Sequence, residues 1–211
     1  TIGALGNSAF LMPQFTTYYQ RLRDAGYRVA CSGKLDLAKP DGYNGRDGRR
    51  PRTFQWGFTD PLESEGKAHS LKSPQPVGPY GVWLEKQGLY RTYHEERTSR
   101  NAHERWYTPS ELPSETFLDV YQGQSAVRWL RDTPADSPWH MFVSFSGPHA
   151  PHDPPREDYD RYADALMPHP IPPAEDPRST HHRRNVERRA GPTDPEHILD
   201  SRRAYCAYIE L

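Results

Sequence analysis

Asp24-Ala25-Gly26-Tyr27-Arg28-Val29-Ala30-Cys31-Ser32-Gly33-Lys34-Leu35-Asp36-Leu37 is the stretch on which the fold turns. Just upstream, Phe15, Tyr18, Tyr19 and Leu22 recur at i, i+3, i+4 and i+7, the spacing of one helical face. Pro13 suits a first turn and Gly26 suits a stop, so the pattern predicts a helix over residues 13–25. Tyr27 to Cys31 then reads as a short buried strand that runs into Ser32-Gly33-Lys34. Helix, glycine turn and strand in succession predict an α/β domain.

Downstream the same logic recurs. Ser114 has the character of an N-cap with Glu115 in the first turn, and Phe117, Val120, Tyr121, Val127 and Leu130 mark an apolar face. Thr133-Pro134 ends that helix. Trp139 to Phe145 reads as a second strand, followed by the loop Ser146-Gly147-Pro148-His149-Ala150-Pro151-His152-Asp153. Near the end of the chain, Thr193 and Glu196 have capping-box spacing, and Ile198, Arg202, Tyr205 and Ile209 follow one helical face.

Residues 40–113 show little periodicity. They mix Gly, Pro and Arg with Trp56, Phe58, Trp83, Tyr90, Tyr93, Trp106 and Tyr107, and a helix is expected only near Val82–Gln87. A stretch this long reads as a loop-rich excursion packed by its aromatics and lining a site. Its arginines, Arg46, Arg49, Arg50 and Arg52, suit an anionic group or plain solvent.

Composition narrows the class. The chain has 22 prolines in 211 residues, roughly twice the usual frequency, which predicts a loop-rich fold rather than a helical bundle. Aromatics at 12% argue against disorder. A net charge of −1 makes no case for nucleic acid. No apolar run approaches the roughly 20 residues of a membrane span. His181-His182-Arg183-Arg184 with Arg188-Arg189 reads as a solvated loop. Cys31 and Cys206 show neither a metal spacing nor a disulfide framework. Thr1 is not Met and Leu211 falls within a helical pattern, so both ends read as cut.

The chemistry-bearing residues sit at the two strand ends, where open α/β sheets form their sites. Lys34 offers a compact positive charge to an anion. Asp36 could fix that ammonium, touch a metal or simply cap a turn. His149 and His152 could donate to an oxyanion, act as acid or base, or ligate a metal. The residues alone stop at an α/β domain with a candidate anion site, and name no reaction.

These loops resemble the sulfatase family of the alkaline-phosphatase-like superfamily. The stretch from Asp24 to Leu37 is similar to A-G-Y-x-T-x-x-x-G-K-W-H-L-G, and Phe142 to Pro151 is similar to F-x-S-F-x-x-P-H-x-P. Gln55-Trp56-Gly57-Phe58 resembles a G-F-D segment, and Ala204 to Glu210 resembles a Y-x-A-x-I-E/D helix, in the same order along the chain. The resemblance implies a central slice of an alkaline-phosphatase-like sandwich, a mixed, mostly parallel sheet flanked by helices. Residues 1–211 would be a partial catalytic domain, with residues 40–113 lining the substrate site.

The resemblance also implies a reaction, the hydrolysis of a small-molecule or saccharide sulfate ester. It would use calcium and a formylglycine made from Cys or Ser. Lys34 matches the lysine that contacts sulfate and nucleophile. His149 matches the histidine at the sulfate and leaving-group oxygen. Asp36 stands where the signature has a histidine, and with His152 it is placed among the substrate-binding residues.

The C-x-P-x-R nucleophile motif is absent: Ser32-Gly33-Lys34-Leu35 follows Cys31, and Ala207-Tyr208-Ile209-Glu210 follows Cys206. The nucleophile and the metal ligands are therefore expected outside these residues, and the chain alone is expected to be inactive and to bind calcium poorly. Periplasmic or secreted placement follows from the resemblance. A phosphonate or phosphate ester hydrolase of the same superfamily, and a non-catalytic binding module, are the other readings.

Overall fold

The computed structural model describes residues 9–12, 14–38, 45–67, 73–99, 107–169, 179–181, 183–184 and 194–211. The chain divides into two units. One is Thr1–Ser99 with Leu112–Gly147, and the other is Arg100–Glu111 with Pro148–Leu211.

In the first unit, Thr17 starts the first helix. Its Oγ1 accepts from the Gln20 N–H at 3.0 Å, while Gln20 Oε1 accepts from the Thr17 N–H at 2.8 Å. This capping box fixes α1 as Tyr18–Asp24, later than the predicted start at residue 13. The apolar spacing begins at Phe15, but the satisfied cap decides where the helix starts. Gly26, at φ +87°, turns the chain into β1, Arg28–Gly33.

β1 is the central strand. β2 (Asp60–Glu63) and β3 (Trp139–Ser144) both pair with it in parallel, in the order β2-β1-β3. All three described strands are thus parallel, in keeping with the mostly parallel sheet expected. The register sets Val29 beside His140 and Cys31 beside Phe142, with the alternate residues on the other face. The first face packs on α1: Tyr19, Val29, Cys31, Trp56 and Phe58 form one buried cluster. The second face meets α5, Leu118–Asp132, where Trp129 lies edge-on to Trp139.

Residues 40–113 hold more structure than their periodicity suggests. They contribute α2 (Pro51–Gln55), β2, α3 (Pro79–Lys86) and α4 (Tyr90–Ser99). β2 is only four residues long and contains Pro61, too short for an alternation to show. α3 begins three residues before the predicted Val82. Several of the aromatics are core: Trp56, Phe58, Tyr80 and Tyr93 are each 2% exposed or less, while Trp83 and Tyr107 are half-buried and Trp106 lies outside the described residues. Tyr80 meets Tyr93 edge-on at 5.5 Å and packs against Trp83 and Tyr121. Arg46 pairs with Glu85, Arg50 with Glu63, and Arg52 lies over Phe10.

Ser114 does not cap α5. A 3-10 turn, Ser114–Thr116, comes first, and Phe117 takes the N-cap position. The buried face also differs from the predicted one, because it includes Gln122 and Ser125 while Val127 and Leu130 are exposed. Buried polar residues made the true face look hydrophilic.

In the second unit, Ser110 N–H donates to Pro154 O and Arg156 N–H donates to Ser110 O, tying residues 107–111 to the start of α6, Arg156–Asp160. The last helix, α7, is Pro195–Glu210. Asp194 caps it, accepting from Glu196 N–H at 3.1 Å, whereas the predicted cap Thr193 lies outside the described residues. Its buried residues are Ala204, Ala207 and Tyr208, while the predicted Tyr205 and Ile209 are exposed. His182, Arg188 and Arg189 of the basic cluster also lie outside the described residues. Among the described residues no helix is long and apolar enough to cross a membrane.

Candidate oxyanion site

The first unit builds its site at the carboxyl end of β1. Gly33 closes that strand at φ +117°, and a Cβ there would lie 2.0 Å from Ser144 O. Only glycine lets the strands approach this closely while the chain turns away. Lys34 follows, its N–H donating to Ser144 O at 3.4 Å. Its ammonium stands 3.3 Å from Asp36 Oδ2. Asp36 adopts φ +57°, a left-handed conformation that Asp tolerates better than most residues. That turn sends the carboxylate back toward the lysine. Of the roles open to Asp36 in the sequence, the geometry realises the pairing with Lys34.

Around this pair lies a buried polar layer that the motifs did not reveal. Gln122, fully buried on α5, reaches all three strand ends. Its Nε2 donates to Ser64 Oγ at 2.8 Å and to Ser146 Oγ at 3.3 Å, and its Oε1 accepts from Ser146 N–H at 3.2 Å. Its backbone carbonyl accepts from Ser32 Oγ at 2.8 Å. Asp119, one turn earlier, accepts from Gly147 N–H at 2.8 Å. At the end of β2, Arg50 grips the buried Glu63 through two contacts, with Nε to Oε2 at 2.5 Å.

Glu65 and Lys67 follow, also buried. The Glu65 carboxylate accepts from Gly81 N–H at 2.7 Å and Tyr80 N–H at 3.3 Å, capping α3 from outside the helix. Burial pushes its pKa above the usual carboxylate value, against the pull of those N–H groups. The signal for this layer was the run Glu63-Ser64-Glu65-Gly66-Lys67, whose charge reads as surface until β2 is recognised.

The second unit carries the two histidines. His149 is exposed, with Nδ1 2.6 Å from Ala150 O. A carbonyl only accepts, so Nδ1 carries the hydrogen, and in the neutral ring Nε2 holds the lone pair. The Ala150-Pro151 peptide is cis. His152 is half-buried, edge-on to Tyr205 at 5.3 Å between ring centres. It lines a largely apolar crevice of about 370 Å³ with Met167, Pro168, Tyr205 and Cys206. The structure thus joins Lys34 to Asp36 in one unit, and sets His149 and His152 on one loop of the other.

Burial keeps Cys31 from acting as a nucleophile. Cys31 is 1% exposed, and burial pushes its thiol up to about 12. Cys206 lies in α7 and, like Cys31, is unbonded. Among the described residues no group of three or more His, Cys, Asp or Glu side chains is gathered to hold a metal. Calcium takes about six to eight oxygen ligands, so these residues do not fit it.

Parallel strands with charged, glycine-hinged loops at their carboxyl ends form an α/β layer of the kind that places its site beyond the strand ends. No protein-family model matches the chain. Over 162 residues, 77% of its length, the chain is 26% identical to the arylsulfatase of Klebsiella aerogenes, and the match spans 30% of that relative. This similarity, at modest identity, supports a relationship to the sulfatase family of hydrolases. The three-stranded parallel sheet flanked by helices is consistent with part of an alkaline-phosphatase-like fold.

Proposed function

We propose that the protein to which these residues belong is a sulfuric ester hydrolase, and that this chain supplies its oxyanion cation and its proton donor. The observation that carries the reading is Lys34, fixed at the carboxyl end of the central strand by Asp36 at 3.3 Å. A fixed ammonium meets the charge that develops on sulfate oxygens without reorganising in the transition state. His149 acts at the leaving group. Its Nδ1 is committed to the Ala150 carbonyl, so a proton added at Nε2 makes the imidazolium that protonates the departing alkoxide. His152 and the crevice beside it suit an apolar or aryl leaving group. The nucleophile, proposed as a formylglycine, and the calcium come from residues outside those described, and periplasmic or secreted placement is part of the same proposal.

Turnover of 4-nitrophenyl sulfate by the full-length protein is the test. Lys34→Ala should lower kcat by about 10²–10³-fold, the usual loss for one oxyanion donor. Turnover unchanged by that substitution would remove Lys34 from the mechanism. The 211-residue chain by itself should show none.

A further inference from the structure

Gly66 lies in the loop that leaves β2, between the buried Glu65 and the buried Lys67. Its backbone is not in the left-handed region that demands glycine: the described positive-φ glycines are Gly26, Gly33, Gly45, Gly48, Gly57 and Gly88. The neighbour that accounts for it is Lys34. A Cβ added at Gly66 would stand 3.0 Å from Lys34 Cε, 3.2 Å from Cδ and 3.5 Å from Nζ. The lysine arm therefore lies across a bare Cα and occupies the space a side chain would take.

This floor is anchored on the β2 side. Glu65 is tied to the backbone N–H groups of Tyr80 and Gly81, and the Ser64 N–H donates to Gly33 O at 2.9 Å. The loop is thus fastened to α3 and to the end of β1, one residue from Lys34 itself. The arm has two constraints: Asp36 draws the ammonium, and Gly66 sets how deep the chain of methylenes can lie.

We propose that Gly66 is a positioning residue for Lys34, its missing side chain fixing the ammonium at the end of β1. A Cβ at position 66 crowds Lys34 Cε and Cδ, so those methylenes must give by a few tenths of an ångström and the ammonium they carry shifts with them. Because the obstructed atoms belong to the end of a flexible side chain, the substitution spares the fold. The inference rests on the proposed function only in giving Lys34 the task of holding an oxyanion.

The test is the rate at which limiting acetic anhydride acylates Lys34, read by mass spectrometry on the folded protein and on Gly66→Ala, with exposed Lys86 as internal reference. The Lys34 rate should change by between about two- and tenfold, the range set by a side chain forced off its rotamer, while Lys86 keeps its rate. An unchanged Lys34 rate overturns the proposal. So does a Gly66→Ala protein that fails to fold, since the glycine would then serve the backbone. Inorganic sulfate supplies the separate arm. If it fails to protect Lys34 in the unaltered protein, the oxyanion role falls, while the effect of Gly66 on Lys34 is still read from the first arm.

Discussion

Gln122 donates to the Ser64 hydroxyl at 2.8 Å, joining the second turn of α5 to the residue that follows β2. The same amide reaches Ser146, and its backbone carbonyl holds Ser32. One buried residue, through its side chain and its backbone carbonyl, thereby ties together three strand ends, and with them the base from which Lys34 projects. Gln122→Leu removes the side-chain bonds to the buried Ser64 and the part-buried Ser146, while Ser32 keeps its bond to the backbone carbonyl. It should cost about 2–4 kcal/mol of stability, from the penalty for stranding buried polar groups. Urea unfolding measures this, and a loss under about 1 kcal/mol would show that the brace is dispensable.

Two glycines with positive φ should respond differently to alanine. At Gly26 a Cβ would meet nothing within 4 Å, whereas at Gly33 it would meet the Ser144 carbonyl at 2.0 Å. Gly26→Ala bears only backbone strain, about 1–2 kcal/mol. Gly33→Ala adds a clash between paired strands and should exceed about 3 kcal/mol. Thermal unfolding of the two variants side by side gives the comparison, and equal losses would contradict the close approach of β1 and β3.

Stability should depend on pH through two carboxyls of opposite sign. Burial raises the Asp60 pKa, but the hydrogen bonds from Arg28 and Thr59 outweigh it and hold the group below its ordinary 3.8. The unfolded chain therefore binds its proton first. The Asp60 contribution is present above pH 3.8 and is lost as pH falls through the folded value. Glu65 is raised by burial, so its contribution is full below its ordinary 4.5 and declines as pH climbs through the folded value. Unfolding free energy measured across the acid range should lose its low-pH slope in Asp60→Asn and its decline at higher pH in Glu65→Gln. A variant that keeps the parent slope would clear that carboxyl of the effect.

The two thiols should differ in reactivity. Cys31 is sealed in the core with its pKa pushed up to about 12, while Cys206 is partly exposed at a crevice wall. Iodoacetamide at neutral pH should label Cys206 in the native protein and reach Cys31 only on unfolding. Peptide mapping after a timed pulse gives the result, and early labelling of Cys31 would be inconsistent with its place between α1 and the sheet.

The sequence displayed β3 as a dense apolar run, β1 as a short apolar segment between a glycine turn and Ser32-Gly33-Lys34, and α1 because aromatic spacing and a glycine stop coincide. β2 stayed hidden: Asp60-Pro61-Leu62-Glu63 has one aliphatic side chain, and it becomes a strand only because β1 offers it an edge. α4 was missed for a related reason, since the residue one turn below Tyr93 on its buried face is Arg97, stacked on the Tyr93 ring. At the site, Lys34 and Asp36 were readable from one loop. Gln122, Glu65 and Gly66 were not, because each acts on a partner distant in sequence, Gln122 and Ser64 being 58 residues apart. Local pattern cannot announce a role that exists only after the strands are side by side.

α3 and α4 pack around Tyr80, Tyr90 and Tyr93, and Glu65 fastens the first of them to the end of β2. The same helices are also held to the start of α5, where the Tyr80 hydroxyl donates to Thr116 O at 2.9 Å and Trp83 lies against Tyr121. A change in residues 73–99 is therefore felt at α5 and at the end of β2, so these helices can drift only in step with the strands that carry Lys34.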